Sequence, residues 1–563
     1  VAKHNLRRPP GATRTSPFAT TSTSTPDAVT HEGGPGYTRE PRAELFLTAV
    51  SSLVEEDSFY ETGADRGDRY RQLVRTVTLT DPTWVAQFLA WLRRDGNIRT
   101  AAIVGAAEFV KARLDAGVVE DAHSRRERGA GRTVVDSVLR RADEPGELVA
   151  YWVNRYGRNL PKPVKRGVGD AILRLGTEFN YVKWDSESRG VRFADLLNLC
   201  HPGDRAGAAQ HLRGEWQHDL FGYIVGQPYR DTPIPETLGT LTRRATLLAM
   251  PVDERRTVLE DPDLLRRAGI TWEALAGWLQ GPMDAAAWSA SLPSMGIMAR
   301  LRNLRNLDQA GVPDTVIQPV LAQFANPDEI AGSRQFPYRF YSAYKAAPSL
   351  RWGHALEQAL QHSLSNLPRF GGRTLVLVDT SASMQASVSG KSTMTNVEVA
   401  ALFGVALAAR GEQVDLHGFA DGVFRHRVPS GASVLREVQA FCQRIGEVGH
   451  GTRIGPAVQA TYNGHDRVVL ISDMQTMPTA PVPGYGYTAL DIHGRTVPVT
   501  RLVPDNVPVY GFNLAGYAKG VIPSGSGNRH ELGGLTDATF RLLPLLEAGR
   551  NGTWPWLDST VAA

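Results

Sequence analysis

From about residue 40 to 365 apolar residues recur at helical spacing, and near residue 370 that period gives way to short unbroken apolar runs. The segments AELFLTAVSSLV, TWVAQFLAWLRR, ELVAYWVNRY, VKRGVGDAILRLG, IMARLRNLRNL and TVIQPVLAQFA all carry apolar side chains at i, i+3, i+4 and i+7, so each forms one apolar face. Breaks such as LTDPTW and RADEPGE separate them, with Asp or Thr placed to cap the next helix. A short one-faced helix needs neighbours to bury that face, so the succession predicts a helical solenoid with degenerate repeats. Beyond residue 370 the runs TLVLVD (374–379), VDLHGFA (414–420), RVVLISD (467–473) and VPVYGFNL (507–514) suit strands buried on both faces. Between the first two lies NVEVAALFGVALAARG, a helix stopped by Gly411. Strand alternating with helix predicts an open, mostly parallel α/β sheet. TDATFRLLPLLEAG adds a C-terminal helix capped by Thr536.

A chain of 563 residues is too long for one core. Residues 1–34 are rich in Ser, Thr and Pro and carry Lys3, Arg7, Arg8 and Arg14. With almost no aliphatic side chains to bury, they form a basic tail predicted to be disordered. Residues 35–367 make the helical domain and 368–563 the sheet domain. No apolar run approaches the ~20 residues that span a bilayer, and the N-terminal stretch lacks the apolar core of a secretory signal. Cys200 and Cys442 stand far apart without a CxxC partner. They exclude a disulfide scaffold or zinc ribbon and fit a reducing compartment. The expectation is a cytoplasmic protein with no membrane partner.

The stretch LVLVDTSASM ends an apolar strand in Asp379, followed by Ser381 and Ser383. Open α/β sheets bind ligands where loops converge at the carboxyl ends of strands. Thr452, in the Gly-rich loop GHGTRIG, and Asp473, ending RVVLISD, stand where they could reach the same edge. Two carboxylates and three hydroxyls with no His or Cys select a hard cation and suit Mg²⁺. The bland alternative is a helix N-cap by Asp379 or Ser381 with no metal. The five positions resemble the metal-ion-dependent adhesion site of von Willebrand factor A domains, DTSAS standing as DxSxS. No GxSxG elbow or paired His accompanies the serines. Asp379 and Asp473 could form an acid–base pair, but the hydroxyl set argues for binding. No catalytic residue and no enzyme is expected.

Net charge is +4, so location matters more than total. Three basic groups stand out: Arg93, Arg94, Arg99, Lys111 and Arg113; then Arg155 through His201; then Arg300, Arg302 and Arg305. Interleaved acids make each a candidate solvated face, except that KPVKRG starts a helix with three cations and no acid nearby. Cations there suit phosphate contacts that position RNA without reading its sequence. Tyr181 and Trp184 beside Lys183 could stack a base, with core packing the competing role.

The segments WLRRDGNIRT, VLRRADEPGELVAYW, LPKPVKRGVGDAI, VRFADLLNLCHP, MARLRNLRNLDQAGV and RQFPYRFYSAYKA, in this order before an adhesion-type sheet domain, resemble the TROVE family of Ro proteins. That resemblance implies a ring of HEAT-like helical repeats followed by a von Willebrand factor A domain. It implies Y-like small noncoding RNA on a basic outer surface and single-stranded 3′ ends of misfolded or decaying RNA in the ring cavity. A 3′-to-5′ exoribonuclease is the implied protein partner. Lys183 and Arg189 resemble the family's basic positions before its DLLxLxH helix, and His201 resembles its His. Lys162, Lys165 and Arg166 are neighbours in sequence that join the implied RNA site. GVRFADLL departs from the family in lacking the aromatic and first His of that stretch. The alternative is a metal-dependent protein-interaction scaffold built on the adhesion-type site.

Overall fold

The computed structural model describes residues 28–31, 33–36, 38–51, 61–118, 129–186, 189–202, 212–226, 232–364, 369–388, 394–477, 502–504, 506–517, 520–522 and 529–533, with Leu543, Trp554 and Trp556. The chain divides into two compact units. One comprises residues 81–335 with 343–356; the other joins the described part of 1–80 to 336–342 and to the region from 357 onward.

The second of these is built on a six-stranded sheet. Two short strands, β1 (Ala28–Val29) and β2 (Pro35–Gly36), precede it and pair antiparallel. The sheet itself comprises β3 (Arg373–Asp379), β4 (Gln413–Phe419), β5 (Val423–His426), β6 (Arg467–Ser472), β7 (Val509–Asn513) and β8 (Arg529–Gly533), in the order β5-β4-β3-β6-β7-β8. All neighbours are parallel except β5 against β4. The four apolar runs became β3, β4, β6 and β7. In β3 and β6 almost every residue is buried, as strands covered on both faces require. Helix Asn396–Arg410 packs on β3 and β4, opened by a Thr395–Glu398 capping box. Gly411 does stop it, but with φ of −76°. Its glycine is needed for close approach: a Cβ there would lie 2.3 Å from Val414 Cγ2.

Two strands were not legible. VFRH is short and half polar, and RHELG carries three charged or polar residues that are all buried. What satisfies Arg529 and Glu531 is tertiary. Arg529 donates to the carbonyls of Val507 and Val503, and Glu531 accepts two hydrogen bonds from Arg39, at 2.8 and 2.5 Å. Both members of that pair are 1% exposed. Arg39 also donates to the Tyr517 carbonyl, at 2.7 Å.

This pairing draws the N-terminal region onto the sheet. Helices α1 (Pro41–Ser51) and α2 (Gly63–Thr80) pack together, α1 lies along β8, and Phe46 stacks on Trp556 and lies tilted against Trp554. Ahead of them the β1–β2 turn docks on the loop after β6. Thr30 Oγ1 and Gly34 N–H both donate to the Thr476 carbonyl, and His31 N–H donates to Gln475 Oε1. Residues 28–31, 33 and 34 of the expected disordered tail are therefore ordered; residues 1–27 and Glu32 lie outside the described ones. The helical unit begins at residue 81 rather than 35, because the described part of 35–80 groups with the sheet unit, α1 packing on α2 and on β8. The expected helix after Thr536 lies outside the described residues.

In the helical unit come α3 (Pro82–Arg94), α4 (Arg99–Asp115), α5 (Ala130–Val138), α6 (Glu144–Tyr156), α7 (Lys162–Leu175), α8 (Glu178–Trp184) and α9 (Phe193–Cys200). Asp81 caps α3 by accepting from Trp84 N–H at 3.0 Å, with Pro82 at the first turn, as LTDPTW implied. Further helices run from Glu215 to Ser333, and contacts are mainly between near neighbours in sequence, the solenoid pattern. Helix α4 is apolar nearly all round and accordingly buried. Its one buried charge, Glu108, accepts from the hydroxyls of Tyr151 and Tyr156.

Because Arg39 and Glu531 are desolvated together, Glu531→Gln leaves a buried guanidinium without its counter-charge. The expected loss is about 3–5 kcal/mol, read as a lowered urea midpoint for the sheet unit's transition. A midpoint equal to wild type would mean that this pair does not hold residues 28–80 to the sheet.

Candidate RNA interface and cation site

Parallel register places Asp379 at the end of β3 beside Ser472, which ends β6, and Asp473 directly after it. Ser472 Oγ donates to Asp379 Oδ2 at 2.5 Å, and Ser381 N–H donates to Asp379 Oδ1 at 2.9 Å. Asp379 thus folds the turn two residues on rather than capping a helix. The helix that follows is capped by Thr395. Ser381 and Ser383 hydroxyls lie 3.2 Å apart.

Thr452 arrives on a loop stitched to both others. Ala382 N–H donates to the His450 carbonyl, and Met477 N–H to the Thr452 carbonyl. Asp421 shapes this loop by accepting from His450 N–H, Gly451 N–H and Arg453 Nε. Burial alone would raise its pKa, but those donors outweigh it and hold the carboxyl below its usual range. The glycines follow from that contact. A Cβ on Gly449 or Gly451 would lie 2.2 or 2.3 Å from an Asp421 carboxylate oxygen.

Asp379, Ser381, Ser383, Thr452 and Asp473 are all buried, none more than 5% exposed. They are oxygen donors only. Among the described residues no three His, Cys, Asp or Glu side chains form a metal cage. The set gathered at this edge fits a hard cation held partly by hydroxyls.

The basic residues sort into two neighbouring groups. Lys162 and Arg166 are exposed on the first turns of α7, with Lys165 half-buried between them. Helix α9 packs on α7 and ends at exposed His201, whose φ is 44°. Lys165 bears on Cys200, the last residue of α9. Burial pushes that thiol up to about 12, with Lys165 opposing.

The second group surrounds α8. Lys183 is exposed, its Nζ 5.0 Å from the Trp184 ring centroid and 5.5 Å from that of Phe179. Arg189 is committed: its Nη2 lies 3.2 Å from Asp143 Oδ2 and its Nη1 3.7 Å from Glu147 Oε1. Arg141 grips Asp143 with two bonds of 2.5 and 2.6 Å, and Arg99 approaches Asp143 and Glu147 at 3.8 and 3.5 Å. RRADEPGE, read from sequence as a break, thus supplies the carboxylates that organise this corner. An acidic pair followed by Glu at helical spacing was the available signal.

Of the other basic groups, Arg93 is buried on Glu144 at 2.5 Å, and Lys111 pairs with Asp115. Arg300 is spent on Gln323 Oε1 and the Leu292 carbonyl.

Glu147 is pushed up to about 7, first by burial and then by the charge of Asp143. Its folded pKa lies above the free value of 4.5, so between those values the folded corner holds a proton that the unfolded chain has lost. Its penalty on stability therefore builds up as pH rises from 4.5 to about 7, is complete above that and vanishes below 4.5. Protonation also leaves Arg99 and Arg189 less neutralised. Affinity for an RNA polyanion should tighten from pH 8 to pH 6, and Glu147→Gln should flatten that dependence at the tight-binding level. An unchanged pH profile in Glu147→Gln would separate this carboxyl from the interface.

The TROVE domain family model matches residues 268–400. No curated protein matches the chain. Among solved structures, the Ro (Rsr) protein of Deinococcus radiodurans is similar in fold, with a TM-score of 0.58 and 16% identity, over 91% of this chain and 100% of that one. Helical array and α/β sheet domain are both within the likeness. The chain therefore carries a TROVE-domain match over residues 268–400 and shares the overall fold of that Ro protein.

Proposed function

We propose that this chain is a non-catalytic RNA-binding protein of the Ro type. Y-like small noncoding RNA lies on the basic surface of α7–α9, and misfolded or decaying RNA enters a ring cavity by its single-stranded 3′ end. A 3′-to-5′ exoribonuclease shares the assembly, in the cytoplasm. The observation that supports the reading is the exposed set Lys162, Arg166, Lys183 and His201, carried on the helical unit of a chain with the Ro fold. Arg189 enters differently from the lysines. Paired to Asp143 and Glu147, it shapes the corner and is only in part available to phosphate.

Protein purified from its host without nuclease should carry a discrete small RNA. In vitro, affinity should fall roughly 10³-fold or more between 50 and 200 mM salt if six or more phosphates are contacted. Lys162→Gln with Lys183→Gln should flatten the slope of log K against log salt by about 1.4–1.8, since each lost contact removes roughly 0.7–0.9. An unchanged slope would remove both lysines from the interface. The lysines are the better targets, because Arg189→Glu would set a third carboxylate beside Asp143 and Glu147.

At the strand edge we propose a bound Mg²⁺ held by Asp379, Ser381, Ser383, Thr452 and Asp473. Their burial favours a cation that ties the three loops together over one displayed to a partner's carboxylate, the alternative scaffold reading. Magnesium at 100 times its dissociation constant should stabilise the sheet unit by about 2.7 kcal/mol, seen as a raised melting temperature. Asp473→Asn should abolish the magnesium-dependent part. A melting temperature indifferent to magnesium and EDTA in wild type would dismiss the ion.

A further inference from the structure

Helix α8 has seven residues, EFNYVKW, and buries none of them fully, although three are aromatic. Phe179 is 42% exposed, the one aromatic among the exposed large hydrophobic side chains of the described residues. Single exposed aliphatic residues need no explanation, but a large aromatic on an otherwise polar surface costs solvation unless something covers it. Tyr181 has a packing role, edge-on to Phe193 at 6.0 Å, and burial pushes its hydroxyl up to about 12. Phe179 and Trp184 are different. One ammonium, Lys183 Nζ, lies within 5.5 Å of both ring centroids, so the two rings belong to one patch. The guanidinium groups of Arg141 and Arg189 sit 4.5 and 5.8 Å from the Trp184 centroid. Beside this patch, among the described residues, Arg99, Arg141 and Arg189 share the carboxylates of Asp143 and Glu147, and exposed Lys183 adds a further cation.

We propose that α8 is a stacking platform for unpaired bases of bound RNA, resting on the RNA-binding reading above. Phe179 and Trp184 offer π faces, and Lys183 meets the phosphate between successive bases. Every base has a π face, so such a platform tolerates any sequence. It distinguishes single strands from duplexes, because A-form helices hide their base faces and offer only backbone and minor groove. The cations favour a polyanion over an acyclic apolar ligand, and aromatic rings interleaved with cations are what a single strand needs. A purely structural role for Phe179 would not call for its exposure or for the ammonium over its ring.

The test uses the full chain and three labelled probes: a mixed-sequence single-stranded RNA of about 12 nucleotides, its blunt duplex, and a strand of the same length with abasic sites at its centre. Phe179→Leu and Trp184→Leu should each weaken single-strand binding by ~5- to 150-fold, the equivalent of ~1–3 kcal/mol per stacked base. Duplex affinity and the salt slope should stay at wild-type values, and the abasic strand should bind wild type about as weakly as the intact strand binds the variants. Trp184→Phe should retain most of the single-strand affinity. Phe179, 42% exposed, serves as the check on folding, since its truncation empties no fully buried site. The stacking role is overturned if both leucine variants bind the single strand as wild type does, or if they lose all three probes equally. In the first case wild type still binds RNA with a salt slope, and the RNA-binding reading stands. If wild type binds none of the probes at low salt, that reading falls and takes the platform with it.

Discussion

Everything at the candidate cation site depends on β3 being hydrogen-bonded on both sides in parallel. Its register with β4 pairs Asp379 with Phe419, and its register with β6 pairs Val378 with Ile471. Those pairings bring the ends of β3 and β6 to one edge, where Ser472 can bind Asp379 and Asp473 can follow. A slip of one residue in either pairing would exchange the side chains packed on the sheet's two covered faces and take the carboxylates with them. The apolar runs forbid that slip, since β3 and β6 bury nearly every side chain. Burial thus secures the register, and the register assembles the polar edge.

That edge is braced from outside the sheet's own chain segment. The β1–β2 turn accepts its place through Thr30, His31 and Gly34 on the loop carrying Gln475 and Thr476. Thr476 in turn donates to the Thr452 carbonyl at 3.2 Å. A chain of short hydrogen bonds therefore runs from the N-terminal segment to a candidate ligand more than 400 residues away. Arg39 and Glu531 anchor the same segment at the far strand, where two desolvated charges would be costly apart.

In the helical unit, carboxylates decide which cations are displayed. Glu144 is fully buried, and it accepts from Arg93 and from the N–H groups of Arg140 and Arg141. Asp143, also buried, engages Arg141 and Arg189. The arginines are absorbed in this way because a guanidinium can serve two partners in a fixed fork. Lys162 and Lys183 stay at the surface, where a flexible ammonium suits contact with phosphate.

The helical and sheet grammars were legible because period and burial act locally: an apolar stripe every three or four residues makes a helix face, and an unbroken run makes a covered strand. The capped start of α3, the strand ending in Asp379 and the family order of segments all follow from neighbours in sequence. Other features were not legible, and they share a cause. RHELG became an inner-facing strand only because Arg39 arrives to neutralise Glu531. Residues 28–31, 33 and 34 became ordered only because Gln475 and the Thr476 carbonyl accept from them, and the unit boundary moved to residue 81 because α1 packs on β8. Arg189 lost its freedom to Asp143 and Glu147, some forty residues earlier. By itself the sequence determined which elements form and which side chains carry oxygen or positive charge. Only the tertiary structure decided which charges meet, because desolvation and ion pairing act through space between segments that the chain order keeps apart.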